Sequence, residues 1–231
     1  LGLAPSAARP DAASALAIGF GSGVTTRVLA DVPGMQRVRV VELEPAVLAM
    51  RDWFGTANDS VLARHTVAAV VDDARSALQL RHDRFDVIVS EPSNPWVAGV
   101  ATLYTPEFFR IVRSRLTDGG VFAQWVQLYQ LPLPVVAGVV RNIAAVFPHV
   151  EVWFSSTLDV IVLASRGGEL RAEARCLGAQ ERRSMTGCER LDPRDELLRA
   201  VEVARCERGV EGGDEGRLQR LIAGVEELRC I

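Results

Sequence analysis

Short apolar runs alternate with amphipathic segments between residues 15 and 164, and this alternation predicts strands separated by helices. The apolar runs are short and rich in valine, which favours strands over buried helices. Seven strands are predicted, at residues 15–19, 38–42, 66–71, 85–90, 121–126, 150–154 and 160–164. Five helices are predicted between them, at residues 24–30, 45–54, 74–80, 108–116 and 133–147.

The order of these elements indicates a sheet that is covered on both faces. Continuous apolar strands with intervening helices are typical of a mostly parallel sheet. The link between the last two strands, residues 155–159, is too short for a crossover and predicts an antiparallel hairpin. We therefore expect an α/β fold with a doubly wound, mostly parallel seven-stranded sheet and an antiparallel last strand.

Composition changes near Arg166 and predicts a domain boundary there. Every aromatic residue lies at or before Phe154, and every cysteine lies after it. A segment without aromatic residues buries little area per residue, which predicts a helical or disordered charged tail. The predicted organisation is an N-terminal extension at 1–14, an α/β domain at 15–165 and the tail at 166–231.

Charge and hydropathy narrow the class of protein. The formal net charge is −3 and no basic patch stands out, so nucleic acid is not an expected partner. No apolar run is long enough to span a bilayer, no signal peptide is evident, and we expect a cytoplasmic protein. The cysteines lack paired spacing and the three histidines are scattered, so no metal site is expected. The chain starts with Leu1 instead of Met, which suggests a fragment.

Four polar or glycine-rich signals follow successive predicted strands. The carboxyl ends of parallel strands meet at one edge of the sheet, where such folds bind their ligands. A glycine turn follows the first strand, and acidic residues end the next three strands. Any one of these signals alone is as easily structural as functional, but four in order at one edge are unlikely to coincide by chance. The residues are Gly19, Gly21, Gly23, Glu42, Asp72, Asp73, Ala74 and Glu91.

These residue types suit a nucleoside. Glycines allow the backbone to approach a ligand closely. Glu42 can accept hydrogen bonds from both ribose hydroxyls, or it can be a solvated strand-end acid. Asp72 and Asp73 can accept from an adenine amino group, or one of them can cap the following helix, and both roles can hold together.

Together these signals resemble the S-adenosylmethionine-dependent methyltransferase fold and, more narrowly, the spermidine synthase family. Further motifs resemble that family and its bacterial spermidine synthase-like subgroup, whose members are often fused to membrane segments. These motifs are Val41-Glu-Leu-Glu-Pro45, Phe85-Asp-Val-Ile-Val-Ser-Glu-Pro-Ser-Asn-Pro95, Leu103-Tyr-Thr-Pro-Glu-Phe-Phe109, Gly119-Gly-Val-Phe-Ala-Gln124 and Gln124-Trp-Val-Gln-Leu-Tyr-Gln130.

The resemblance implies an activity and a set of partners. It implies aminopropyl transfer from decarboxylated S-adenosylmethionine to a diamine such as putrescine, in polyamine biosynthesis. Residues 15–165 would be the nucleotide-binding catalytic domain, with Glu91 as the catalytic acid. Glu91, Asn94 and Gln124 would bind the amine. A homodimer and fusion to membrane segments are also implied, while no metal is.

Three departures from the family keep two other functions open. Glu91 stands where the family has Asp, Asn94 stands where it has a second acid, and its small N-terminal β domain is missing. One alternative is a methyltransferase that uses intact S-adenosylmethionine on a small molecule. The other is a truncated, non-catalytic nucleotide-binding relative.

Several other side chains carry weaker expectations. Gln124 and Gln127 could line the cleft, although at least one is expected to satisfy backbone groups at the strand end. Tyr104 and Trp96 could cover the cofactor or could serve only in packing. Asp159 falls in the predicted hairpin turn, where solvation is expected.

Overall fold

The computed structural model describes residues 1–93, 95–97, 99–129, 131–156, 159–167, 170 and 190–191. The strands are β1 Ser14–Ile18, β2 Arg37–Glu42, β3 Val67–Val71, β4 Phe85–Ser90, β5 Leu116–Gln127, β6 His149–Ser156, β7 Asp159–Ser165 and β8 Arg190–Leu191. The α-helices are α1 Leu3–Ala8, α2 Val24–Ala30, α3 Pro45–Ala49, α4 Gly55–Asn58, α5 Ala74–Leu80, α6 Pro106–Arg115 and α7 Leu133–Ala144. Short 3₁₀ helices cover Arg51–Phe54, Val61–Ala63 and Val100–Tyr104.

The strands form one sheet in the order β3-β2-β1-β4-β5-β7-β6-β8. Strands β1 to β5 run parallel, and β7 pairs antiparallel with both β5 and β6. The predicted α/β fold and the antiparallel hairpin are therefore confirmed. The two-residue β8 on the edge of β6 was not predicted.

Two elements differ most from the prediction. The helix expected at 45–54 is divided into α3 and a 3₁₀ turn, and α4 follows as a separate helix. The first turn of α3 begins as predicted, with Pro45 just after the capping residue Glu44. Strand β5 begins at Leu116, five residues before the predicted start, and its pairing with β4 shifts register between Phe85 and Val87. Most of the predicted tail at 166–231 lies outside the described residues.

The sheet separates two hydrophobic layers. Helices α5, α6 and α7 pack on one face around Phe108, Phe109 and Phe122, which are all fully buried. Helices α1 and α2 pack on the other face with the small residues of β1, and Ala4 and Ala12 from the N-terminal segment are buried there. No helix in the described part of the chain is long and apolar enough to cross a membrane.

Asp86 joins three strands at the amino edge of the sheet. One carboxylate oxygen accepts from the Ala13 and Ser14 backbone amides and from the Ser14 hydroxyl, at 2.8–3.0 Å. The other accepts from the Thr117 hydroxyl at 2.7 Å. Burial alone would raise the pKa of Asp86, but these hydrogen bonds outweigh it and hold the pKa below its ordinary value.

Replacing Asp86 by Asn tests this junction. Because the folded-state pKa is lowered, the Asp86 contribution is complete above the unfolded-state value of 3.8 and is lost as the pH falls through the lower folded-state value. We expect D86N to lower the free energy of unfolding by roughly 1–3 kcal/mol at pH 7 and to flatten its decline below pH 3.8. Urea denaturation at pH 7 and between pH 4 and pH 2 measures both effects. Asp11→Asn, at an exposed carboxylate, is the control, and an equal loss in the two variants would contradict the assignment.

Candidate functional site

The turn after β1 brings two backbone segments into direct contact. Gly19 has φ +88°, and a Cβ at this position would lie 2.6 Å from the carbonyl oxygen of Glu91. Gly21 has φ +51°, but a Cβ there would meet nothing within 4 Å. Gly19 is therefore required for packing, whereas Gly21 borders open space at the carboxyl edge. A ligand can approach the backbone at Gly21.

Glu42 lies directly beside this turn. One carboxylate oxygen accepts from the Phe20 amide at 2.7 Å, and the other accepts from the Glu44 amide at 3.0 Å. The residue is only 9% exposed, which excludes a merely solvated strand-end acid. A carboxylate oxygen has two lone pairs, so each oxygen can still accept one more hydrogen bond. A pair of ribose hydroxyls would satisfy that capacity.

The acids after β3 have a structural role. Asp73 caps α5, because its carboxylate accepts from the Ser76 amide at 2.8 Å. The carboxylate of Asp72 accepts from the Asp73 amide at 2.9 Å, and its own amide donates to the Glu42 carbonyl at 3.0 Å. Ala74 is buried at the start of α5. The helix-cap alternative is thus observed, and contact with an adenine amino group stays a prediction.

Glu91 follows β4 and faces the glycine turn. Its amide donates to the Ile18 carbonyl at 2.9 Å, so its backbone continues the β1–β4 pairing. Its exposed side chain accepts from the Thr25 hydroxyl at 2.8 Å through Oε2. Within the described residues its other oxygen, Oε1, has no hydrogen-bond partner. A carboxylate oxygen therefore faces solvent next to the glycine turn.

The predicted amine contacts are only partly described. Gln124 lies beside Ser90 in the β4–β5 register and is fully buried. Its amide nitrogen donates to the Trp125 carbonyl at 3.0 Å, so it does satisfy a backbone group, as one alternative expected. Its Oε1 has no partner within the described residues, and substrate contact stays a prediction. Asn94 lies outside the described residues.

Two residues that position the site gave no signal in the sequence. Thr25 is in the first turn of α2 and holds Glu91. Asn58, 1% exposed, donates to the carbonyls of Ser22 and Arg51 at 2.9 and 3.0 Å, which ties the glycine turn to the segment after β2. Neither residue lies in a periodic pattern or a recognisable spacing, because both act through contacts between distant segments.

The aromatic candidates separate clearly. Trp96 is 50% exposed in the loop after Glu91, so it is available to cover a ligand. Tyr104 is buried among the helices of the α6–α7 face, and this burial raises the pKa of its hydroxyl.

A cavity of about 390 Å³ lies elsewhere, near the C-terminal ends of α6 and α7, and is lined by Arg110, Arg113 and Arg166. No group of three or more metal-ligating side chains occurs in the described part of the chain.

Comparison with known proteins identifies the family of the chain. The sequence model of the spermine/spermidine synthase domain matches residues 2–158, which is more than half of the chain. The chain belongs to the spermine/spermidine synthase family. Polyamine aminopropyltransferase from Aeropyrum pernix is 31% identical over 145 residues, covering 59% of this chain and 44% of that protein. The enzyme of the same name from Nitrosomonas europaea is 28% identical over 144 residues, covering 62% of this chain and 44% of that protein.

Solved structures show the same fold. A spermidine synthase in complex with the transition-state analogue AdoDATO superposes with a TM-score of 0.66 at 20% identity, over 86% of this chain and 68% of that one. Human methyltransferase-like protein 13 in complex with SAH superposes with a TM-score of 0.54 at 20% identity, over 87% and 85%. The methyltransferase-like fold is therefore confirmed. The chain spans less than half the length of the two aminopropyltransferases above.

Replacement by alanine is expected to have different effects at the two glycines. Gly19→Ala should lower the free energy of unfolding by roughly 2–4 kcal/mol, because a positive φ is combined with overlap against a backbone carbonyl. Gly21→Ala should cost only about 1–2 kcal/mol, from its positive φ alone, but should weaken binding of methylthioadenosine. Urea denaturation and calorimetry measure the two quantities. If the two variants lose affinity equally, once folded protein is compared, then Gly21 does not border the ligand.

Proposed function

We propose that this protein transfers an aminopropyl group from decarboxylated S-adenosylmethionine to a diamine such as putrescine. The observation that carries the proposal is Glu91, a solvent-facing carboxylate held by Thr25 beside the open glycine turn. The membership of the spermine/spermidine synthase family and the relatives named polyamine aminopropyltransferase support it.

The chemistry of the reaction explains why a carboxylate is needed here. The amine nitrogen forms a bond to the carbon of the aminopropyl group, and the bond from that carbon to the sulfonium sulfur breaks. The electron pair goes to sulfur, which leaves as the neutral thioether methylthioadenosine and needs no acid. The amine must lose a proton to attack, and Glu91 or a water molecule bound to it would take that proton.

Thr25 helps to explain how Glu can serve where the family has Asp. The longer side chain has one more rotatable bond, and a displacement of about 1 Å can reduce a rate by about 100-fold. The Thr25 hydroxyl fixes Oε2 at 2.8 Å and so removes much of that freedom. The second oxygen is left to face the amine. This contact supports a catalytic role for Glu91.

The charges around the glycine turn favour the decarboxylated nucleotide over intact S-adenosylmethionine. An intact methionine carboxylate would require a cationic or polar partner near residues 19–23. Within the described residues, Arg27 on the helix that follows the turn is already engaged, because it donates to the Ala57 carbonyl and pairs with Asp31. The Glu91 carboxylate on the same side would repel a second carboxylate. The methyltransferase alternative is therefore less well supported.

A homodimer, a cytoplasmic location and fusion to membrane segments stay predictions.

Calorimetry with three ligands separates the functions. We expect decarboxylated S-adenosylmethionine and methylthioadenosine to bind more tightly than intact S-adenosylmethionine, because Glu91 would repel the extra carboxylate. Tighter binding of intact S-adenosylmethionine would favour the methyltransferase. If none of the three ligands binds, both enzymatic functions fail and the non-catalytic alternative remains.

Replacing Glu91 by Gln tests its role in catalysis. E91Q keeps the shape of the side chain but removes the base, so kcat for amine-dependent transfer should fall by about 100-fold or more. Binding of methylthioadenosine should change little, since the nucleoside contacts are expected at Gly21 and Glu42. Release of methylthioadenosine with putrescine as acceptor measures turnover. Unchanged turnover in E91Q would remove Glu91 from the mechanism.

A further inference from the structure

A diamine acceptor presents the site with two positive charges at neutral pH. Glu91 can receive the end that reacts, but the far end remains an ammonium, and removing an unpaired ammonium from water is costly. The family places a second acid three residues after the first, and this chain has Asn94 there. A carboxylate from another element is therefore needed at this edge of the sheet to pair with the far ammonium.

Asp159 is on the required face of the sheet. The odd-numbered residues of β7, such as Ile161 and Leu163, belong to the layer that contains α1 and α2. Asp159 lies two residues before Ile161 in β7, and alternate residues of a strand lie on the same face, so Asp159 shares that face. Glu91 points to the same side, because it contacts Thr25 on α2. Asp159 was expected in a solvated turn, but it is half-buried and paired in the sheet.

The register of the sheet fixes the separation of the two acids. Ser90 pairs with Gln124, and Gln127 pairs with Asp159, without a register shift along β5 and β7. Glu91 is therefore two strands away from Asp159 across the sheet. Along the strand direction, it lies two residues before the position that is level with Asp159. With about 4.8 Å between strands and 3.3 Å per residue, the two Cα atoms are on the order of 12 Å apart. The two side chains and a short linear diamine between them are together long enough to span this separation.

Gln127 provides a second observation at the same place. Cross-strand partners lie on the same face of an antiparallel pair, so Gln127 is the direct neighbour of Asp159. Its side chain is fully buried, and neither its amide oxygen nor its amide nitrogen has a hydrogen-bond partner in the described part of the chain. Unpaired buried amides are rare in proteins and call for a bound water or ligand. The amide oxygen would accept from an ammonium that Asp159 binds.

We infer that Asp159 and Gln127 form the subsite for the far ammonium of the diamine, replacing the second acid of the family. Trp125 lies on β5 and on the same face of the sheet as Gln127, level with Glu91. Its side chain would line the methylene chain of the diamine between the two nitrogen atoms. This inference rests on the proposed function for the identity of the reaction. It adds the requirement that the acceptor carries a second cationic group.

Comparing a diamine with a monoamine tests the subsite. The acceptors are putrescine and butylamine, each with decarboxylated S-adenosylmethionine, and kcat/KM is measured for the wild type, Asp159→Asn and Gln127→Leu. We expect D159N to lower kcat/KM for putrescine by about 10- to 100-fold and to change the value for butylamine by less than about twofold. Q127L should show a smaller loss in the same direction. Asp118→Asn, at a carboxylate that is 95% exposed at the opposite edge, controls for the loss of one charge.

The outcomes separate this inference from the proposed function. Equal losses for both amines, or no loss with either, would overturn the subsite even if the transfer reaction occurs. If no amine is a substrate of the wild type, the proposed transfer reaction fails. Calorimetry with putrescine and butylamine then tests the subsite independently of turnover. The subsite then requires that the wild type binds putrescine more tightly than butylamine and that D159N removes the difference. Thermal unfolding of each variant confirms that it is folded.

Discussion

The contact between Gly19 and the carbonyl of Glu91 determines how the whole carboxyl edge is arranged. Strands β1 and β4 end side by side, and there is no room between them for a single carbon atom on residue 19. This forces the turn after β1 to pass directly beside the loop that carries the acid. The open backbone at Gly21, the buried Glu42 and the Thr25–Glu91 hydrogen bond all lie beside this point of approach. Any larger residue at 19 would separate the glycine turn and Glu42 from Glu91.

The secondary structure could be predicted from the sequence wherever the local signals agree with the tertiary structure. The valine-rich runs, the helix start at Pro45 and the short link before β7 each correspond to an observed element. The glycine turn and Glu42 were also recognisable, because strand ends in a parallel sheet meet at one edge. Helix α3 was predicted too long, since the preference of residues 50–54 for a continued α-helix is overridden in the folded chain by a 3₁₀ turn.

Other features depend on register and tertiary contacts that no local pattern encodes. Thr25 and Asn58 act across 66 and 36 residues of sequence, so their roles appear only when the chain is folded. The position of Asp159 relative to Glu91 depends on the pairing of three strands, and a shift by one residue would turn it to the other face. The dual role of Asp86, which satisfies two backbone amides and two hydroxyls, is likewise invisible in a sequence that shows only one acid in an apolar strand.

The hydrogen bonds of Glu42 to Phe20 and Glu44 have a further consequence for ligand recognition. A flexible glutamate on the surface loses rotamer entropy when it orders around a ligand, and this loss weakens binding. Here the side chain is already immobilised by two backbone amides, so that loss is incurred during folding. Its remaining lone pairs keep a fixed direction whether or not a nucleoside is present. Selectivity for a ribose with both hydroxyls would then be a property of the folded backbone, independent of any closing motion of the loops.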